Sequence, residues 1–162
     1  MIEPFFMKEI ERKFLVENLD FLSEASSSYP IAQGYLNSDP NRSVRIRKTS
    51  EGGFITVKGA SSQSGMSRFE WEKPLSSKEV DVLLPLCEEG TIVKDRYLVP
   101  FMGKVFEVDV FKEANKGLIL AEVELEEEDE HFEKPHWLGT EVTSDPRYYN
   151  SYLSKNPFSQ WS

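Results

Sequence analysis

Charged residues recur two positions apart on almost every segment of this chain that reads as a β-strand, and that alternation limits what the chain can fold into. Eight stretches carry the strand pattern, at roughly 7–16, 31–36, 42–49, 53–59, 66–73, 91–99, 104–112 and 118–126. Successive side chains of a strand point to opposite faces, so a spacing of two collects the charges on one face and the apolar residues on the other. The first stretch has Glu9, Glu11 and Lys13, and the third has Arg45 and Arg47 alternating with Val44 and Ile46. The fourth has Lys58 two after Thr56, the fifth Arg68, Glu70 and Glu72, and the sixth Lys94 and Arg96. The seventh has Glu107 and Asp109, and the eighth Glu122 and Glu124.

Two arrangements satisfy this periodicity. A sheet with a conventional core would turn its charged faces to water. Alternatively, the apolar faces pack outward against helices and loops, and the charged faces line a closed interior. Turn signals separate the strands, at Asn37 to Asn41, Glu51 to Gly53, Pro100 to Gly103 and Asn115 to Gly117, with a serine-rich loop from Gly59 to Gly65. Helical signals are fewer. Ser76 and Glu79 make a capping box ahead of Val80, Leu83, Leu84 and Cys87, ending at Gly90. A C-terminal helix is expected from Ser144 or Asp145, with Pro146 in its first turn, to just before Pro157, and a short one over 18–26. Mostly consecutive strands with few helices point to a mainly β (α+β) fold, an antiparallel meander long enough to close into a barrel. No repeat or linker divides the 162 residues, so one domain over 1–162 is expected, with its core at about 7–156.

The alternating face carries eight acids and seven bases and is almost neutral, whereas the whole chain has 28 acids against 19 bases. The net charge of −9 therefore sits elsewhere, partly in the run Glu126 to Glu130, which reads as a solvated loop. No basic exterior is evident, so no nucleic-acid partner is expected. Cys87 is the single cysteine, which excludes an internal disulfide and a cysteine zinc cage and fits a reducing, cytoplasmic setting. No apolar run approaches the ~20 residues of a membrane span. Met1 to Lys8 lacks the basic and apolar regions of a secretion signal, and Met7 is an alternative start. The pattern leaves the oligomeric state open.

Burying fifteen charges in a lumen needs compensation, because an uncompensated buried ion costs several kcal/mol even after relaxation. Clustered Lys and Arg match the oxygens of a polyanion. Clustered carboxylates without His or Cys match hard divalent cations such as Mg²⁺ or Mn²⁺. Together they suggest a metal-bound polyphosphate, and no Walker-type glycine loop competes for it.

Glu9-Ile10-Glu11-Arg12-Lys13 is a Glu-x-Glu-x-Lys signature, and with Phe14-Leu15-Val16 after it the chain resembles the CYTH superfamily of triphosphate tunnel metalloenzymes. The succession strengthens the resemblance: Gln33-Gly34-Tyr35-Leu36, Val44-Arg45-Ile46-Arg47, Thr56-Val57-Lys58-Gly59, Phe69-Glu70-Trp71-Glu72, Lys94-Asp95-Arg96-Tyr97, Phe106-Glu107-Val108-Asp109 and Ala121-Glu122-Val123-Glu124 follow in order. The ending Asp145 to Asn150 is similar to the small bacterial, single-domain members.

This resemblance implies an eight-stranded antiparallel β-barrel tunnel with a charged interior, a few peripheral helices and a C-terminal helix near one end. It implies metal ligation by Glu9, Glu11, Glu122 and Glu124, with Asp109 as a fifth contributor. It implies phosphate grips at Lys13, Arg45, Arg47, Lys58, Lys94 and Arg96, with Lys155 matching a family lysine that reaches the tunnel. Arg68, Glu70, Glu72 and Glu107 would complete the lining. Tyr35 matches a tyrosine that can pair with the signature lysine and hold a proton; otherwise it packs the wall.

The implied activity is hydrolysis of a small-molecule triphosphate with Mg²⁺ or Mn²⁺, foremost inorganic tripolyphosphate to diphosphate and phosphate. Thiamine or nucleoside triphosphatase, class IV adenylate cyclase and a non-catalytic polyphosphate-binding module are the alternatives. Family cyclases often carry a histidine-aromatic pair before the signature, and none precedes Glu9. A pure anion binder has little use for five metal-type carboxylates. His131, His136 and Trp137 read as surface or packing residues, Cys87 as a core residue, and Trp71 as packing outside the barrel.

Overall fold

The computed structural model describes residues 7–162, with side chains from Lys8 onward. The reading of the first residues as leaderless, and the choice between Met1 and Met7, therefore lie outside the described residues apart from Met7 and Lys8. In chain order the strands are β1 (Met7–Val16), β2 (Ser27–Asn37), β3 (Arg42–Thr49), β4 (Gly52–Ser61), β5 (Ser67–Leu75), β6 (Ile92–Phe101), β7 (Lys104–Phe111), β8 (Ile119–Glu124) and β9 (Leu138–Glu141). The helices are α1 (Phe21–Glu24), α2 (Ser77–Leu83) and α3 (Asn150–Leu153).

Strand β1 closes the sheet because it pairs with three others. Residues 7–10 pair with β5, Glu11 to Leu15 pair with β8, and Phe14 and Val16 pair with β9. The antiparallel order β5-β4-β3-β2-β6-β7-β8-β1, joined by the β1–β5 pairing, is a closed eight-stranded barrel. Beyond Ile10 the edge of β1 turns from β5 to β9. Glu11 N–H still reaches the Met66 carbonyl at 3.0 Å, and Val142 N–H donates to the Lys13 carbonyl at 2.8 Å. Strand β9 has no counterpart in the sequence pattern. It forms because β5 leaves that edge of β1 unpaired, and an open edge takes whatever backbone can pair with it. Strand β2 starts four residues before the expected 31, since Ser27 to Pro30 pair with Asp95 to Leu98.

The apolar core lies outside the barrel wall. Ile10 and Phe14 on β1, Phe106 and Val108 on β7, and Val123 on β8 are buried, and each alternates with charged neighbours. Phe21 of α1 and the 125–138 segment, through Leu125, Phe132 and Trp137, cover them. The rings meet edge to face, with Trp137 5.7 Å from Phe106 and 5.9 Å from Phe21. The capping box stands, with the Glu79 carboxylate accepting from Ser76 N–H at 3.0 Å and the Ser76 hydroxyl accepting from Glu79 N–H at 3.2 Å. The helix behind it is shorter than expected, because α2 tightens into a 3₁₀ turn at Leu84–Leu86. Cys87 ends that turn half-buried, with its Cβ 2.8 Å from where a side chain at Gly34 would begin.

The inner row changes character along the barrel. One step beyond Lys13, Asp109, Lys94 and Glu122 in the same alternation come Leu15, Phe111, Ile92 and Leu120, which pack with Val142 and Leu153. These side chains form an apolar floor beneath the charged lumen. The C-terminal helix that sits here is broken rather than continuous. Pro146–Tyr148 forms a 3₁₀ turn, Tyr149 is extended at φ −74° and ψ 137°, and α3 begins only at Asn150. Among the described residues no helix is long and apolar enough to cross a membrane.

Candidate active site

Fourteen of the fifteen alternating charges line one cavity of about 240 Å³ inside the barrel, and Asp109 is the exception. The period-two alternation thus resolves in favour of the inward-facing charged set. Ile10, Ile46 and Val123 take the other face and are buried in the wall.

The carboxylates gather on the β1–β8 side. Glu9 accepts from Lys58 Nζ at 2.9 Å, and Glu122 lies 3.4 Å from Lys13 Nζ. Burial works against the Glu9 anion, but Lys58 outweighs it and holds this carboxyl below its usual range. Among the described residues Glu11 makes no ion pair, and Lys58 only partly offsets what opposes its charge. Burial, Glu122 and Glu9 push its carboxyl well above the usual range, so its proton is shared towards Glu122. Glu122 resists burial through Lys13 and Glu11 and is held well below. Glu124, at the exposed end of β8, is raised by partial desolvation and by Glu9. Among the described residues no three acidic side chains close into a ready-made metal cage. A set of carboxylates that repel one another and share a proton nevertheless fits a hard divalent cation, which would take the place of that proton and of the lysines.

The cations Arg45 and Arg47 on β3 and Lys94 and Arg96 on β6 gather across the lumen. Arg96 makes a two-pronged contact to Asp109, Nε to Oδ1 at 2.8 Å and Nη2 to Oδ2 at 2.9 Å, and reaches Glu107 at 3.0 Å. Lys94 Nζ is 2.8 Å from the same Asp109. Burial opposes the Asp109 anion, yet Arg96 and Lys94 bring its carboxyl down to about 2. Asp109 is thus enclosed by two cations and, alone among the fifteen alternating charges, does not line the cavity. Burial, with Arg96 and Arg47 nearby, lowers Lys94 to about 7 despite Asp109. Burial, Arg45 and Arg96 lower Arg47 to about 9. Arg45 reaches Thr56 Oγ1 at 3.2 Å, while its buried Nε has no hydrogen-bond partner. A buried guanidinium nitrogen left without an acceptor is a place for an anion oxygen.

Lys13 keeps its charge more firmly than usual; burial opposes it, but Glu122 and Glu11 prevail. Its Nζ donates to the Tyr148 carbonyl at 3.0 Å. That carbonyl is available because the extended Tyr149 interrupts the helix that would have used it. Tyr35 lines the cavity and is buried; among the described residues no hydrogen bond joins it to Lys13, although it is near enough to act on the Lys13 charge. Tyr149 instead lies against Lys13, its ring centre 5.4 Å from Nζ and 5.9 Å from the Arg68 guanidinium. Arg68 is tied to the carbonyls of Gly59 and Pro40, while Glu70 and Glu72 continue the lining. Lys155 departs from expectation. It is 46% exposed, paired with Glu88 at 2.8 Å, and does not line the cavity. His131 and His136 are exposed and pair with Glu133 and Asp20.

The neutral lining is what the sequence did not announce. Ser43, Thr143, Tyr149, Asn150 and Ser151 face the cavity, and Gln33 and Thr56 are fully buried behind its arginines. Gln33 alternates with Tyr35 on β2 and opens the stretch Gln33-Gly34-Tyr35-Leu36, and those were the signals available for it.

Comparison with known proteins gives the same picture. The family model for the CYTH domain matches residues 7–155. A protein of Acetivibrio thermocellus named inorganic triphosphatase is 45% identical over 152 residues, covering 93% of this chain and 96% of the relative. One of Nitrosomonas europaea with the same name is 39% identical over 153 residues, covering 91% and 97%. A crystal structure of an inorganic triphosphatase superposes with a TM-score of 0.64 at 34% identity, over 90% of this chain and 97% of that one.

Proposed function

The chain belongs to the CYTH domain family, and on that premise we propose that it hydrolyses inorganic tripolyphosphate to diphosphate and phosphate with the help of a divalent cation, Mg²⁺ or Mn²⁺. The observation that carries the reading is the lumen itself, where carboxylates on β1 and β8 face cations on β3 and β6 across a cavity of about 240 Å³. Neither a plain anion site nor a plain metal site needs both.

Glu9, Glu11, Glu122 and Glu124 are the residues that would hold the cation. When bound, a divalent cation supplies charge neutralisation between phosphate oxygens and lowers the pKa of a coordinated water. The chain supplies the rest. Arg45, Arg47, Lys58, Lys94 and Arg96 orient the phosphates along the lumen and stabilise the charge that develops on the leaving diphosphate. Lys13, fixed by Tyr148 and Glu122, holds its proton beside the reacting end and presents it to phosphate oxygen. Tyr35 packs the wall, and the apolar floor limits how far an extended chain of phosphates can travel.

The test is phosphate release from tripolyphosphate, ATP and thiamine triphosphate, with Mg²⁺ and Mn²⁺ supplied separately and with a chelator. The expected result is metal-dependent turnover with the highest kcat/KM for tripolyphosphate. Turnover that survives chelation, or binding of tripolyphosphate without turnover under any metal, would overturn it.

A further inference from the structure

Two buried amides connect the cations beside the floor. Arg47 Nε donates to Gln33 Oε1 at 2.9 Å. Gln33 Nε2 donates to Asn150 Oδ1 at 3.2 Å, and Lys94 Nζ donates to the same oxygen at 3.0 Å. Those three bonds fix both amide orientations, since each oxygen must face a donor and Gln33 must present its nitrogen to Asn150. Gln33 is fully buried, and Asn150 is the first residue of α3, so the chain of bonds crosses from the barrel wall to the C-terminal segment.

The chemistry of this link is selective. Arg47 and Lys94 are like charges that repel, and both lie next to Arg96. The anion available to them, Asp109, is already bound by Arg96 and Lys94. Among the described residues, Gln33 is the one hydrogen-bond partner of Arg47, which leaves its terminal nitrogens without one. A carboxylate at position 33, or at 150 acting through the same chain of bonds, would bring a further negative charge to a group of three cations that share only Asp109, and would stabilise the barrel without ligand. A neutral amide holds them in place without cancelling their charge. The side-chain nitrogen of Asn150 also has no partner among the described residues, although Asn150 lines the cavity.

We infer that Gln33 and Asn150 are positioning residues, a charge-neutral spacer that ties Arg47 to the Lys94–Asp109 pair without compensating Arg47, so that a phosphate chain supplies the missing anion. This rests on the triphosphate reading of the lumen and adds how the protein keeps that site hungry for anion at the expense of its own stability. The spacer therefore predicts opposite movements of stability and affinity when an amide becomes an acid.

The experiment measures tripolyphosphate binding by calorimetry with metal chelated, together with Tm, for the wild type, Asn150→Asp, Gln33→Glu and Asn150→Ala. In Asn150→Asp and Gln33→Glu, tripolyphosphate should bind roughly tenfold or more weakly, as it would without one of its charge-assisted hydrogen bonds. Tm without ligand should rise by about 2 °C or more, as a newly compensated charge adds stability. Asn150→Ala, which removes the spacer without compensating the cations, should lose both affinity and Tm. Acidic variants that bind as tightly as a binding wild type would overturn the spacer alone. So would acidic variants whose Tm falls along with affinity, or that fail to fold, since that is the behaviour of merely structural amides. A wild type that binds no tripolyphosphate would overturn the triphosphate reading and the spacer with it.

Discussion

The two faces of the barrel wall are built from the same strands and obey opposite rules. Outward, Phe14, Phe106, Val108, Val123 and Trp137 are packed among rings and aliphatic chains, where every contact adds to stability. Inward, one residue along the same strands, Glu11, Lys13, Glu107, Glu122 and Glu124 sit in a half-wet cavity where burial opposes their charged forms. The outer face holds the barrel closed. The inner face is tolerated because the outer one is strong, and it is left partly unbalanced so that a ligand can balance it.

The sharpest way to break that contrast is to remove an inner charge that the chemistry needs. Glu122→Gln should lower kcat by at least ~10²-fold, as deleting a principal charge-stabilising group does, while leaving the fold intact. Steady-state kinetics beside a melting curve would show it, and full activity in this variant would remove Glu122 from the metal site. The outer face should give the reverse. Trp137→Ala should destabilise by about 3–5 kcal/mol through the cavity it leaves, with kcat and KM unchanged in the fraction that remains folded. Its indole N–H is buried without a partner, so Trp137→Phe should be much milder.

Asp109 is the inner residue that behaves like the outer face, because its charge is fully paired. Its carboxyl sits at about 2 in the fold against 3.8 as an ordinary aspartate. A depressed carboxylate adds stability that is present above the unfolded value and lost as pH falls through the folded one. On that basis Asp109→Asn should cost about 2 kcal/mol or more at pH 7, with the gap to the wild type closing between about pH 4 and pH 2. Chemical denaturation across that range reads it directly. The smallest effect belongs to Lys155→Ala. An exposed ion pair with Glu88 contributes little, so turnover should stay within about twofold and Tm within about 1 °C. A large loss of turnover would return Lys155 to the tunnel.

Those cases also mark how far the sequence could be read. Alternation at 9, 11 and 13 or at 122 and 124 places side chains on a face, and closure of the barrel makes that face an interior. Facing inward is not the same as being free, though. Asp109 follows the same parity as Glu107, and only the Arg96 fork and Lys94 reveal that it is already engaged. Strand β9 was illegible because four residues, Leu138 to Glu141, carry no period of their own and pair only where β1 is left open. The broken C-terminal helix was hidden for a related reason. Asp145 caps Arg147 N–H at 3.1 Å, and the Lys13 ammonium takes the carbonyl of Tyr148, so tertiary contacts override a sequence that favours one helix. Neutral residues in or behind the lining, such as Asn150, Gln33 and Thr56, add nothing to a charge pattern, and their place in the site shows only through their partners.

The contrast between the faces can be tested by asking whether a polyanion repairs the inner one. Thermal unfolding with metal chelated, in rising inorganic tripolyphosphate, should show Tm climbing with the logarithm of its concentration, as expected when a ligand binds only the folded barrel. Orthophosphate at equal ionic strength should have far less effect, and Arg47→Ala should lose most of the climb. A Tm indifferent to tripolyphosphate, or raised equally by orthophosphate and in Arg47→Ala, would contradict the view that the charged lumen is held open for a triphosphate.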